Sequence, residues 1–261
     1  MDFIKIQEVC CELAIRAGHK IMEIYKDEQL FANISYKSDN SPLTMADTAA
    51  NDIIVEGLSK SFPEYAILSE EGKDDFTRLQ NPYCFIVDPL DGTKEFVKRN
   101  GQFTVNIALS YEHRVVAGVI YVPASDELYY ASKGNGSYYT NADGVTKPIK
   151  VSGEQDLEKV RLVMSSSHGC DEMEALIEKY QFKNFVKMGS SLKGCLVARG
   201  DAEIYYRHNP TMEWDTAAMQ CIVEEAGAIF CQMDGSEMLY NREDSLNAKG
   251  FYIVNCKENI L

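Results

Sequence analysis

The chain has 261 residues, 45% of them apolar and 25% charged, with a formal net charge of −14. The composition is that of a globular protein, and the length suits one large domain or two lobes. The acidic balance argues against nonspecific nucleic-acid or anionic-membrane binding, and no apolar run is long enough for a transmembrane helix.

The first residues, Met1-Asp2-Phe3-Ile4-Lys5, lack the basic-then-apolar order of a signal peptide, so a cytoplasmic protein is expected. The eight cysteines form no C-x-x-C pair and read as buried thiols. The four histidines show no zinc spacing.

In chain order, apolar residues at three- and four-residue spacing predict an amphipathic helix over 2–27. A polar loop follows at Lys37–Pro42, then a helix capped by Thr44, with Asp47 in its first turn where a carboxylate favours the dipole. A short strand at 66–69 stops at Glu70-Glu71-Gly72. A second, at 84–87, is expected to stop at Pro89, inside Asp88-Pro89-Leu90-Asp91-Gly92-Thr93. Strand-like runs at 103–109, 115–122, 127–132 and 137–140 suggest an antiparallel sheet. The polar stretch near 145–160 reads as a lobe boundary. Beyond it strands at 161–166, 184–188, 202–206 and 228–232 alternate with helices at 171–180, 190–199 and 215–226. The expected domains are therefore an N-terminal α+β lobe over 1–150 and a smaller α/β lobe over 151–261.

Four carboxylates fall at element ends: Glu70, Asp88, Asp91 and Asp215. Alone, Glu70 reads as surface, Asp215 as a helix N-cap, and the Asp-rich turn as a short-helix cap made by Asp91 or Thr93. Together, with a carbonyl such as that of Leu90, they would hold two Mg²⁺ ions, hard cations that take oxygen ligands and clamp both oxygens of an in-line phosphoryl displacement. Gly92 allows a tight turn, and the Gly92 and Thr93 amides start a short helix that can hold a phosphate.

Four blocks carry a resemblance across nearly the whole chain: Ser41-Pro42-Leu43-Thr44 to Asp47; Leu68-Ser69-Glu70-Glu71; Asp88-Pro89-Leu90-Asp91-Gly92-Thr93; and Trp214-Asp215-Thr216-Ala217-Ala218. In this order they resemble the inositol monophosphatase superfamily of Mg²⁺-dependent, lithium-sensitive phosphatases. The resemblance implies a layered αβαβα sandwich of the inositol monophosphatase/fructose-1,6-bisphosphatase type. It implies two or three Mg²⁺ on Glu70, Asp88, Asp91, Asp215 and the Leu90 carbonyl, and an Asp47–Thr93 pair that activates the attacking water.

Gly92-Thr93-Lys94-Glu95 through Leu109, Gly189-Ser190-Ser191-Leu192-Lys193-Gly194 and Ala202 to Arg207 look like the bacterial 3′(2′),5′-bisphosphate nucleotidase branch, which removes the 3′-phosphate of 3′-phosphoadenosine 5′-phosphate (PAP); inositol monophosphatases usually have Thr-Asn in place of Lys94-Glu95. That resemblance puts substrate against Glu70, Leu90, Asp91, Gly92, Thr93 and Asp215, the 5′-phosphate on Ser190, Lys193 and Arg207, and the adenine near His168. The branch's usual arginine is missing from Ser165-Ser166-Ser167-His168, which bears on base selectivity. A dipole, amides and an ammonium at 190–193 and a bidentate Arg207 would hold a second phosphate in an acidic protein. Alone, Lys193 and Arg207 read equally as solvated charges, and Trp214 as a core anchor or a ligand contact. The alternatives are an inositol or sugar phosphatase on the same scaffold and a non-catalytic PAP sensor. The sulfated nucleotide PAPS remains open as a second substrate.

Overall fold

The computed structural model describes residues 3–31, 34–36, 42–165 and 171–261. Helix α1 (Phe3–Lys26) buries Ile6, Cys10, Leu13, Ala17, Ile21 and Ile24, the face its spacing predicts. After α2 (Glu28–Phe31), β1 (Ile34–Tyr36) and β2 (Pro42–Thr44) pair antiparallel. Residues 37–41, most of the expected polar loop, lie outside the described residues. Helix α3 (Met45–Ser61) starts at a capping box: the Thr44 backbone N–H and hydroxyl donate to Asp47 at 2.8 and 2.6 Å, and the Ala46 N–H donates back to the hydroxyl.

A seven-stranded sheet follows in sequence order: β3 (Ala66–Ser69), β4 (Tyr83–Asp91), β5 (Thr104–Tyr111), β6 (Arg114–Val122), β7 (Glu127–Ser132), β8 (Ser137–Thr140) and β9 (Thr146–Ile149). Only β3–β4 is parallel. Two expectations are corrected here. Pro89 does not end its strand: β4 runs on to Asp91 through a register shift between Asp88 and Asp91, the kind of irregularity that excuses the missing proline N–H. Residues 146–149, read as part of a boundary, are the sheet's last strand, completed by tertiary pairing with β8 in spite of a polar sequence.

Between β4 and β5 lies α4 (Thr93–Val97). The second half contains β10 (Arg161–Ser165), α5 (Asp171–Tyr180), β11 (Asn184–Met188), α6 (Leu192–Ala198), β12 (Ile204–Arg207), β13 (Thr211–Met212), α7 (Glu213–Glu225), β14 (Ile229–Gln232), β15 (Leu246–Asn247) and β16 (Phe251–Val254). Five of these strands form a mixed sheet in the order β11-β10-β12-β16-β14, with β10 parallel to β11 and β12, and β16 antiparallel to both of its neighbours. Strand β16, which the sequence reading passed over, lies inside this sheet. Residues 166–170 lie outside the described residues, and with them the end of the strand expected over 161–166.

Side-chain alternation explains the layering. In β4, Phe85 and Val87 face α1 and α3, while Cys84 and Ile86 face the other way, towards α6 and α7. In β10, Val163 joins the same central core and Leu162 the outer core under α5. The layers are α1 and α3, the seven-stranded sheet, α6 and α7, the five-stranded sheet, then α5. These are the five layers the resemblance implies. Gly118 lets α7 sit close on β6: a Cβ there would come within 2.6 Å of the Ala218 carbonyl oxygen.

Candidate active site

The irregular end of β4 turns its acids inward. Asp88 is buried, and its carboxylate accepts from the Leu90 N–H at 3.0 Å. Gly92 takes φ +89°, where a Cβ would press on the Gln102 carbonyl and on Ser190, so this turn needs glycine. Gly92, not Asp91 or Thr93, occupies the cap position of α4, and no side chain caps that helix. The two residues are engaged elsewhere. Asp91 Oδ2 accepts from the Ser191 N–H (2.6 Å) and hydroxyl (2.7 Å), with Thr104 Oγ1 and Asn106 Nδ2 at 3.4 and 3.3 Å. Thr93 Oγ1 lies 3.3 Å from Asp47 Oδ1 and 3.2 Å from the Leu90 carbonyl oxygen.

Asp215 enters from the first turn of α7, where its Oδ2 accepts from the Met212 N–H at 2.6 Å. It is a helix-start acid and also a member of the cluster. One carboxylate oxygen from each of Asp88, Asp91 and Asp215 lies within 4.8 Å of the other two. Glu70 follows β3, lines the same cleft and bears on Asp88.

Burial first, then the charges of Glu70, Asp91 and Asp215, push the Asp88 carboxyl up from the ordinary range; burial first, then Asp91 and Glu70, against the Met212 hydrogen bond and Arg207, push up that of Asp215. Burial likewise raises Asp47 against the lowering effect of its Thr44 hydrogen bonds. Crowded, desolvated, all-oxygen donors fit a hard divalent cation, which removes their mutual repulsion.

A cleft of about 660 Å³ opens from this cluster. Glu70, Asp91, Gly92, Thr93 and Asp215 line it, and so do Ser190, Lys193 and Arg207. The structure thus brings into one cleft side chains that the sequence spreads over 138 positions, from 70 to 207, together with Asp215. Neither cation is a solvated surface charge. Lys193 is buried in α6, its Nζ donating to the Ser190 carbonyl at 2.5 Å and lying 5.7 Å from the Tyr205 ring centre. Burial holds its ammonium down, to about 8. Arg207 ends β12, and its buried Nε has no hydrogen-bond partner among the described residues, a donor aimed at nothing the protein supplies. Helix α6 starts later than expected, at Leu192, because Ser190 takes φ +44° and lies outside it. His168 and Ser166 lie outside the described residues.

Sequence reasoning missed the cradle of Asp91. Nothing in the sequence marks Ser191 apart from its neighbour Ser190, and Thr104 and Asn106 sit inside β5, where alternation reads as core. It also missed the cleft's outer wall, where Met212 and Leu246 pair across β13 and β15 beside Trp214. Trp214 serves both of its readings: it packs on the central core and lines the cleft.

The sandwich and its acidic cleft define a phosphatase-type scaffold, and the sequence profile of the inositol monophosphatase family matches residues 4–257. The chain belongs to that family. A relative named 3′(2′),5′-bisphosphate nucleotidase CysQ, from Buchnera aphidicola, is 44% identical over 252 residues, covering 95% of this chain and 93% of its own. The protein of the same name from Escherichia coli K12 is 39% identical, covering 93% and 97%. The crystal structure of CysQ from Bacteroides thetaiotaomicron, described as a bacterial member of the inositol monophosphatase family, superposes with a TM-score of 0.85 at 40% identity, covering 98% and 99%.

Proposed function

We propose that this chain is a Mg²⁺-dependent 3′(2′),5′-bisphosphate nucleotidase, a phosphoric monoester hydrolase that converts PAP to AMP and phosphate. The observation that carries the reading is the sharing of one cleft by two opposite anion-handling devices: a carboxylate cluster suited to metal, and a cationic pair made of the buried Lys193 and the half-buried Arg207, whose Nε is buried without a partner among the described residues. A nucleotide with two phosphates needs both, one phosphate being hydrolysed and the other held. The relatives' names support the same substrate class.

Asp88, Asp91, Asp215, Glu70 and the Leu90 carbonyl would hold the cations. Bound there, Mg²⁺ supplies Lewis acidity at the phosphoryl oxygens and lowers the pKa of water. Asp47, fixed by the Thr44 capping box, accepts a hydrogen bond from the Thr93 hydroxyl; as the attacking water gives up its proton to Thr93 Oγ1, Thr93 passes its own hydroxyl proton to the Asp47 carboxylate. Their 3.3 Å separation is long for such a bond and is expected to tighten with substrate. Gly92 and Thr93 offer backbone N–H groups to the scissile phosphate; Ser190, Lys193 and Arg207 hold the 5′-phosphate, and the adenine contact is assigned to His168 from the sequence resemblance. On this reading residues 1–150 supply most of the cation ligands and 151–261 most of the substrate contacts, in a cytoplasmic enzyme.

Phosphate release from PAP and from inositol 1-phosphate, side by side with and without Mg²⁺, tests the assignment. Mg²⁺-dependent preference for PAP supports it. Preference for inositol phosphate would leave the cation cluster standing and overturn the second-phosphate role of Lys193 and Arg207.

A further inference from the structure

A largely buried polar relay joins the segment that follows Glu70 to the first turn of α7, which brings Asp215 to the cluster. Asp74 lies on the segment that follows Glu70 out of β3. Its Oδ2 accepts from Arg78 Nε (3.0 Å) and Nη2 (2.8 Å). The Arg78 side chain is only 3% exposed. Its remaining arm, Nη1, donates to Asn241 Oδ1 at 2.8 Å across 163 positions of sequence. Asn241 returns the contact, with Nδ2 donating to the carbonyls of Arg78 and Asn81 at 3.1 and 3.2 Å.

From Asn241 the relay continues to α7. The Asn241 N–H donates to Glu213 Oε2 at 2.6 Å; the Arg242 N–H and Nε donate to Glu213 Oε1 at 3.0 and 3.2 Å. Glu213 is fully buried and opens α7, two residues before Asp215. Asn241 itself takes φ +55°, a left-handed conformation that asparagine tolerates better than most residues.

Apolar side chains would fill this volume at a lower desolvation cost than an Arg, an Asn and a Glu. What the polar relay adds is fixed length and direction. We infer that Arg78 is a positioning residue: through Asp74 on one side and Asn241 and Glu213 on the other, it sets where the Glu70 and Asp215 carboxylates stand relative to each other at the cation site. The inference rests on reading those two carboxylates as cation ligands. Neither Arg78 nor Asn241 lines the cleft, so the effect on the cation is indirect, as with groups that orient ligands in other metal sites.

The test is calorimetric titration of Mg²⁺ into substrate-free protein, for the wild type, Arg78→Met and Glu203→Gln. Glu203 is the control: it is a buried, ion-paired glutamate in the five-stranded sheet and belongs to no part of the relay. Arg78→Met is expected to weaken Mg²⁺ binding about tenfold, the low end for loss of a ligand-orienting partner. Its KM for nucleotide at saturating Mg²⁺ should stay within about twofold of wild type, since no substrate contact is removed. Glu203→Gln should lower the melting temperature and leave Mg²⁺ affinity unchanged. If Arg78→Met does not fold, Arg78→Lys replaces it, keeping a charge beside Asp74 without the fork to Asn241, and the same loss is expected. Wild-type Mg²⁺ affinity in a folded Arg78 variant overturns the positioning role alone. Absence of Mg²⁺ binding by the wild type overturns the cation-site reading, and the inference with it.

Discussion

Ser191 gives Asp91 two hydrogen bonds on a single carboxylate oxygen, from its backbone N–H at 2.6 Å and its hydroxyl at 2.7 Å, across 100 positions of sequence. The same hydroxyl lies 3.1 Å from the Asp215 carbonyl oxygen and accepts from Asn106 Nδ2 at 2.9 Å. One serine therefore ties the end of β4, the start of α6 and the start of α7 together at the cation cluster. Ser191→Ala keeps the N–H bond and removes the rest. A 10- to 100-fold fall in Mg²⁺ affinity or in kcat/KM is expected, as for other ligand-orienting groups. Titrating Mg²⁺ in the phosphatase assay checks it, and unchanged kinetics would reduce Ser191 to a packing residue.

Lys193 and Arg207 should discriminate between substrates. Arg207→Lys keeps the charge and loses the fork, so kcat/KM for PAP should fall at least tenfold, with a much smaller effect on a single-phosphate ester. Equal losses on both substrates would remove the second-phosphate role.

The pH profile should carry the signature of Lys193. Burial holds its ammonium down, to about 8, so free enzyme loses that charge as pH rises through this value. The kcat/KM for PAP is expected to fall on the alkaline side of pH 8 and to regain its plateau in Lys193→Arg, whose guanidinium stays charged. A profile indifferent to that replacement assigns the limb to another group.

Mg²⁺ should stabilise the fold in a pH-dependent way. The Asp88 and Asp215 carboxyls are held above their ordinary value of 3.8 by burial, then by neighbouring acids. A raised carboxyl contributes stability when protonated, and that contribution is lost as pH rises through the raised value. Metal-free protein should therefore gain stability on mild acidification, while Mg²⁺ at about 100 times its Kd adds about 2.7 kcal/mol near neutrality and less as protons compete for the site. Thermal melts with Mg²⁺ and with EDTA between pH 5 and pH 8 decide this; a melting temperature indifferent to Mg²⁺ throughout would count against the cation site.

Glu203 has the opposite sign. Burial alone would raise its carboxyl, but Arg161 and Ser152 donate to it and hold it below its ordinary 4.5. A depressed carboxyl contributes stability above its unfolded value, lost as pH falls from there through the folded value. Glu203→Gln is expected to cost about 1–3 kcal/mol at neutral pH, with the difference shrinking below pH 4.5. Urea unfolding at pH 7 and at pH 4 measures it.

Much of this protein was legible in its sequence because the signals are local. The period of α1 dictates its buried face, and Thr44 marks the cap of α3 with Asp47 in its first turn. The apolar run Phe85-Ile86-Val87 announces a buried strand in β4. The acids were identifiable because Glu70, Asp91 and Asp215 stand at or beside element ends, with Asp88 in the irregular last stretch of β4. What the residues could not disclose is what lies opposite them. Pro89 stays in a strand because its partner strand tolerates an irregularity there. Residues 146–149 become a strand because β8 offers a free edge. Lys193 and Arg207 read equally well as surface charges until the α6–β12 packing buries Lys193 and the Nε of Arg207. Ser191 on Asp91, and Arg78 on Asn241, are pairs 100 and 163 positions apart. Local chemistry determined which side chains are able to act. The docking of two sheets through α6 and α7 decided which of them meet, because long-range contacts depend on surfaces that exist only once both partners have folded.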